Sequence, residues 1–297
     1  MSGLPARVDV REVGPRDGLQ AEAPVDEATR VALIEALLAA GVTHIEVAAF
    51  VSPRAVPAMA GAAEVLAALP RRPGVVYAAL VPNLRGAELA LAAGVDELTV
   101  TVSASEAYSA RNVRMSVEES VAAAADICGV AGPVPVDVIV SCAFGSPYEG
   151  EIAPDEVAAL GRRLADQGAA RLTYADTTGM ATPRRIDALV DLTGDDVGLH
   201  LHDTRGTALV NAYAALLRGV RRFDAAVGGL GGSPFAAGAG GNLATEDLVH
   251  LLDDHGIETG IDLDRLLDVS RQVAVIVEHE VPSRVARAGP RSKLAAG

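Results

Sequence analysis

Val197-Gly-Leu-His-Leu-His-Asp-Thr204 runs an apolar stretch into two histidines spaced two apart. Side chains alternate between the faces of a β-strand, so both imidazoles would point the same way at the strand's end. Two neutral imidazoles on one face supply half of a divalent metal site. The plainer reading is a pair of surface or core histidines. For the fold, what matters is the kind of unit: a short apolar strand ending in polar residues, then a helical stretch.

That unit recurs along the chain. Apolar, β-branched runs occupy residues 8–13, 44–48, 75–81, 97–102, 134–141, 171–175, 197–201 and 223–227. Helical patterns lie between them at 27–40, 55–69, 84–93, 116–128, 154–167, 183–192 and 204–217, and an eighth begins near Ala244. Asp26 and Thr182-Pro183 suit helix openings. Eight alternations predict an α/β fold, a parallel sheet closed into a (β/α)8 TIM barrel, over residues 1–297 as a single catalytic domain. An additional C-terminal helix, 263–278, and a polar tail follow. A doubly wound open sheet would more often carry a Gly-rich turn after its first strand. Here the first strand runs into Gly14-Pro15-Arg16-Asp17-Gly18.

Composition agrees with a large buried core. Half of the 297 residues are hydrophobic, but aromatics are only 3% and Trp is absent, so the core must be Ala, Val and Leu. A net charge of −14 argues against a nucleic-acid partner and offers no basic patch to a membrane surface. No uninterrupted apolar run reaches the roughly 18 residues of a membrane span. Met1-Ser-Gly-Leu-Pro-Ala-Arg7 lacks the layout of a secretion signal. Cys128 and Cys142 match no zinc or redox spacing, and a cytoplasmic address is expected.

In such a barrel the active face is built from strand C-termini and the loops after them. Reading those positions gives Arg16, Asp17 and Gln20, then Glu46, Asn83, Ser103 and Ser105, then Asp176, Thr177 and Thr178, then His200 and His202. The eighth strand opens into a Gly-rich loop that ends at Asn242. Asp17, two imidazoles and the Asn242 amide oxygen make a mixed nitrogen and oxygen set, suited to octahedral Mg²⁺ or Mn²⁺ rather than closed tetrahedral zinc. Taken alone, Asp17 reads equally as an Asx turn and Asn242 as a helix N-cap. The Gly-rich loop lacks the Gly-Lys-Ser/Thr ending of a phosphate loop, so a substrate-covering lid is the better expectation.

Together, Val10-Arg-Glu-Val-Gly-Pro-Arg-Asp-Gly-Leu-Gln20, Ile45-Glu-Val47, Phe50-Val-Ser-Pro53, Leu199-His-Leu-His-Asp-Thr204 and the Gly-Asn-Leu-Ala-Thr-Glu-Asp247 ending resemble the 3-hydroxy-3-methylglutaryl-CoA lyase family of metal-dependent barrels. The resemblance extends through Ser141-Cys-Ala-Phe-Gly-Ser-Pro-Tyr-Glu-Gly150 and Ser283-Arg-Val-Ala-Arg-Ala288. It implies that Asp17, His200, His202 and Asn242 hold the cation, with Arg16, Glu46 and Asp176 beside it. It also implies an acyl-CoA substrate, a homodimer, and a C-terminal helix and tail near the acyl-CoA mouth. Three departures stand out. The family's catalytic Cys is replaced by Ser233, Asn-Glu-Lys after Gln20 by Ala21-Glu22-Ala23, and a frequent Cys by Ser146.

The implied reaction is a retro-Claisen-type cleavage, with His200 or Asp176 as base and Arg16 facing the thioester oxygen. Glu46 would orient Arg16 or the water around the cation, or serve simply as a buried ion-pair partner. A serine hydroxyl is a far weaker acid than a thiol, whose pKa is about 8.5, so Ser233 implies slower cleavage or a different substrate. Other 3-hydroxyacyl-CoA esters, a condensing synthase and a non-catalytic acyl-CoA-binding barrel are the alternatives.

Overall fold

The computed structural model describes residues 3–232 and 240–293. Eight parallel strands close into a barrel in chain order: β1 (Asp9–Glu12), β2 (His44–Ala49), β3 (Val76–Leu80), β4 (Glu97–Ser103), β5 (Val136–Ser141), β6 (Arg171–Asp176), β7 (Gly198–Leu201) and β8 (Arg222–Ala225). β8 pairs with β1 in parallel, Arg11 opposite Asp224, which leaves no free edge. The helices are α1 (Glu27–Ala39), α2 (Ala62–Ala68), α3 (Leu84–Ala93), α4 (Glu106–Asn112), α5 (Val117–Ala131), α6 (Pro154–Asp166), α7 (Pro183–Thr193), α8 (Ala208–Leu217), α9 (Thr245–Asp254), α10 (Leu263–Ile276) and α11 (Arg284–Ala288). This is the predicted TIM barrel, with α10 and α11 appended.

The helices form for local reasons. Asp26 caps α1 by accepting from the Thr29 amide at 3.0 Å, and Leu33, Ile34, Leu37 and Leu38 form its buried face. Each such leucine contributes roughly 1.5–3 kcal/mol on burial. Two expected helices change their bounds. The helix expected over 55–69 splits into a 3-10 turn, Pro57–Met59, and α2, because Gly61 between them is left-handed at φ 73°. The expected 204–217 helix begins only at Ala208. Asn83 and Ser105, which follow β3 and β4 as expected, also cap the next helices: they accept from the amides of Gly86 (2.9 Å) and Tyr108 (3.1 Å). Ser103 accepts from the Ser105 amide and so supports the same cap.

The aliphatic core lies between barrel and helices, where Val136, Val138, Val140, Leu199, Phe223 and their neighbours are buried. The barrel axis is different. There Arg11 donates to Asp224, Asp137 and Glu97, and Thr173 donates to Asp137. Barrel interiors are usually filled by Val, Ile and Leu, so the expectation of a wholly Ala, Val and Leu core is corrected for this layer. Among the described residues, no helix is long and apolar enough to cross a membrane, and Cys128 and Cys142 are free thiols.

Candidate metal centre and active site

The chain leaves β1 through a π-type turn, Gly14–Gly18, in which the Asp17 and Gly18 amides both donate to the Val13 carbonyl (2.7 and 3.2 Å). Such turns recur at functional sites because they redirect side chains. Here the turn aims Arg16 and Asp17 across the rim. His200 lies in β7, and His202, just beyond it, forms an isolated antiparallel bridge with Asn242. One ligand atom each from Asp17, His200 and His202 lies within 4.8 Å of the others. Asn242 joins them by donating from Nδ2 to Asp17 Oδ2 at 2.7 Å. Asn242 is not a helix cap, because α9 is capped by Ala244. Two glycines permit the close packing. A Cβ on Gly241 would lie 1.9 Å from the Gly229 carbonyl oxygen, and one on Gly231, at φ +104°, would lie 2.5 Å from Asn242 Nδ2.

The two imidazoles are oriented from behind. His200 Nδ1 donates to Asp224 Oδ2 at 3.0 Å, and His202 Nδ1 donates to the Gly240 carbonyl at 3.0 Å. Their Nε2 atoms face each other at 3.1 Å. A carboxylate or carbonyl behind each ring is the arrangement that fixes metal-binding histidines. Burial, reinforced by the His200 charge, pulls His202 down to about 4, so it is neutral and able to ligate at pH 7. Burial also works against charge on His200, but the Asp224 hydrogen bond and the Asp224 and Asp17 charges outweigh it and raise its pKa. Burial opposes ionisation of Asp17, yet Arg16 and then the histidines hold it at about 2.

A divalent cation fits this set. Two neutral imidazoles with their lone pairs facing at 3.1 Å repel unless a proton or cation lies between them. An octahedral ion with bonds of about 2.1 Å separates adjacent ligands by about 3 Å. Asn242 Oδ1 is buried without a partner, and a buried amide oxygen left unpaired is costly. A hard cation would satisfy it. The donor set is mixed, two imidazole nitrogens with two oxygens, as divalent cations accept.

Arg16 is buried against the carboxylates of Glu46 and Asp17. Glu46, almost solvent-free, also accepts from Thr99 on β4. Glu46 therefore orients Arg16 and is a buried ion-pair partner at once. Asp176 ends β6, its Oδ1 accepting from the Met180 and Ala181 amides at 2.6 and 3.0 Å. Its Oδ2 is buried with no partner. Burial lifts its carboxyl to about 6 against the pull of those two amides. Ser233 lies outside the described residues. The tail approaches this rim: Asp247 caps α11 through Ser283 and the Val285 amide, and Arg284 pairs with Asp203, next to His202.

The HMGL-like family matches residues 7–273. The chain belongs to the HMGL-like family. Among relatives of this HMGL-like chain is the 3-hydroxy-3-isohexenylglutaryl-CoA/hydroxymethylglutaryl-CoA lyase of Pseudomonas aeruginosa, 43% identical over 96% of this chain and 98% of its own. The hydroxymethylglutaryl-CoA lyase of Pseudomonas mevalonii is 45% identical over 90% of this chain and 91% of its own. An HMG-CoA lyase from Acinetobacter baumannii, solved in complex with coenzyme A and 3-methylmalate, superposes with a TM-score of 0.93 at 40% identity, covering 98% of each chain.

Several residues that build this HMGL-like site were missed in the sequence. Asp224 orients His200. Glu12 and Glu246, both deeply buried, accept from the amides of Val227 and Gly228 and so hold the turn that opens the Gly-rich loop. Burial raises both carboxyls to about 7, although the Thr245 hydroxyl resists at Glu12. A signal existed. Asp9/Arg11, His44/Glu46, Glu97/Thr99, Arg171/Thr173 and Arg222/Asp224 are polar at alternate positions of five strands, the period of one strand face.

Proposed function

We propose that the chain is a divalent-cation-dependent carbon–carbon lyase that cleaves a 3-hydroxy-3-methylglutaryl-CoA-like ester to acetyl-CoA and acetoacetate. The observation that carries this reading is the facing pair of Nε2 atoms beside Asp17 and Asn242, each imidazole held from behind. Asp17, His200, His202 and Asn242 would hold Mg²⁺ or Mn²⁺. Bound there, the ion would supply Lewis acidity to the substrate's tertiary hydroxyl and a neighbouring oxygen.

Asp176 takes the hydroxyl proton on its free Oδ2. A carboxyl near 6 is largely ionised at pH 7 yet basic enough to accept a proton. His200 is the poorer base, because Nδ1 is committed to Asp224 and Nε2 faces the ligand set. As the proton leaves, the C3–O electrons form the ketone, the C2–C3 bond breaks, and its electron pair passes to C2 as the acetyl-CoA enolate. Arg16, a permanent cation held by Glu46, stabilises the thioester oxygen as charge gathers there. C2 is finally protonated, and here Ser233 replaces the thiol with a weaker acid.

The name of the Pseudomonas aeruginosa relative favours a second reading, a lyase for 3-hydroxy-3-alkylglutaryl-CoA esters with longer chains. In either case residues 1–297 act as one catalytic barrel, with an acyl-CoA partner, as a cytoplasmic homodimer. The test is acetyl-CoA release from hydroxymethylglutaryl-CoA, a longer alkyl homologue and citramalyl-CoA, with Mg²⁺, Mn²⁺ or chelator. Release from none of the three, with retained ester binding, sinks the lyase reading and leaves an acyl-CoA-binding barrel.

A further inference from the structure

We propose that Arg11, buried on the barrel axis, is a positioning residue for the cation site: it fixes the plane of Asp224, and Asp224 fixes the ring of His200. The proposal rests on Asp17, His200, His202 and Asn242 being the cation's ligands. Arg11 touches none of them.

The geometry forms one chain of contacts. Arg11 Nε donates to Asp224 Oδ1 and Nη2 to Asp224 Oδ2, both at 2.9 Å, a two-point fork that fixes rotation of the carboxylate. The same Oδ2 accepts from His200 Nδ1 at 3.0 Å. The fork is itself anchored on the far side of the barrel. Nη1 donates to Asp137 Oδ2 at 2.7 Å on β5 and to Glu97 Oε1 at 3.1 Å on β4. Glu97 is held in turn by His44 at 2.9 Å and by Arg171, and Asp137 by Thr173 at 2.8 Å. Side chains on seven strands thus bear, through one guanidinium, on the direction in which His200 Nε2 points.

The arrangement does more than neutralise charge. Any cation at position 11 would balance Asp224, but only a planar fork sets both its oxygens at once. Lysine, a compact point charge on a flexible stem, does not. Arg11, Asp224 and His200 are each less than 10% exposed, so water cannot replace a lost contact without opening the barrel.

The test uses the full chain, stripped by chelator and titrated with Mn²⁺ in a calorimeter. Arg11→Lys keeps the charge and removes the fork. If it folds by circular dichroism, its Mn²⁺ affinity should fall about 10–100-fold, the usual cost of losing a partner behind a metal-binding histidine. Val65→Ala, on α2 and fully buried away from the rim, provides the control for fold damage: its melting temperature should fall while Mn²⁺ affinity stays within about twofold of wild type. If Arg11→Lys does not fold, Asp224→Asn cuts the next link and should show the same loss. A folded Arg11→Lys or Asp224→Asn that binds Mn²⁺ like wild type overturns the proposal. A wild-type chain that ignores Mn²⁺ instead overturns the cation site itself, and the proposal with it.

Discussion

The imidazoles of His200 and His202 meet edge to edge, their planes tilted by 53° and their Nε2 atoms 3.1 Å apart. Stacked rings would not bring two nitrogens together in this way. A proton on His200, whose pKa is raised by Asp224 and Asp17, or a cation can join the two nitrogens, and the pair sits where Asp17 and an unpartnered Asn242 oxygen add two more donors. A cation held by these four side chains would bind the folded chain and so stabilise it.

Mn²⁺ should therefore stabilise the fold. At one hundred times its dissociation constant, a ligand that binds only the native state contributes about 2.7 kcal/mol. Thermal unfolding of wild type should move upward accordingly. His202→Ala should lose this response, and an undiminished rise in that variant would remove His202 from the ligand set.

The pH profile should carry the signature of Asp176. Burial lifts its carboxyl to about 6, and the base must be ionised to act. Cleavage should therefore fall as pH drops through about 6, approaching tenfold per pH unit below it. Asp176→Asn should lower kcat by about 10²–10⁴ while leaving Mn²⁺ affinity within a few-fold. A kcat near wild type in that variant would move the base elsewhere.

Glu46→Gln keeps the shape of the side chain and removes the charge that holds Arg16. Losing a well-aimed charge stabiliser costs about 10²–10³ in kcat, so a fall of about 100-fold is expected. Calorimetry should find Mn²⁺ binding preserved. If instead the metal is lost and kcat is spared, Glu46 supports the cation rather than Arg16.

Ser233→Cys restores an acid with a pKa near 8.5. Release of acetyl-CoA from hydroxymethylglutaryl-CoA should rise by at least about tenfold. An unchanged rate would mean that C2 receives its proton from another group.

His44 links stability to pH. Burial alone would lower its pKa, but hydrogen bonds to Asp9 and Glu97 raise it to about 9. Because the folded value lies above the unfolded one, the stabilisation is complete below about pH 6.5 and is lost as pH rises through 9. A shift of this size corresponds to about 3 kcal/mol. His44→Gln should therefore lower the melting temperature at pH 6 and have little effect near pH 9.5. Equal losses at both values would refute the linkage.

Much of the barrel was legible because each strand is short, β-branched and followed by a helical period. The rim cluster of Asp17, His200, His202 and Asn242 was legible because these polar residues stand at or just beyond the ends of apolar runs. Asn83 and Ser105 follow β3 and β4 as expected, and their capping of the next helices was not legible, because a polar residue after a strand can cap a helix as readily as face a substrate. Only the tertiary fold decides which amide it meets. Arg11, Asp137 and Asp224 were passed over because a charge inside a strand looks like a solvent-facing position when the strand is read alone.

The sequence by itself determined the alternation of strands and helices, and with it the closed barrel and the end at which its chemistry gathers. These follow from local periodicity and from the rule that parallel strands need crossovers. Tertiary structure alone decided which charges meet along the axis. Glu46 with Arg16, Asp224 with His200, and Arg11 with three carboxylates are pairings between residues 24 to 213 positions apart. Barrel closure and register bring them together, and a buried charge keeps its place only where such a partner is waiting.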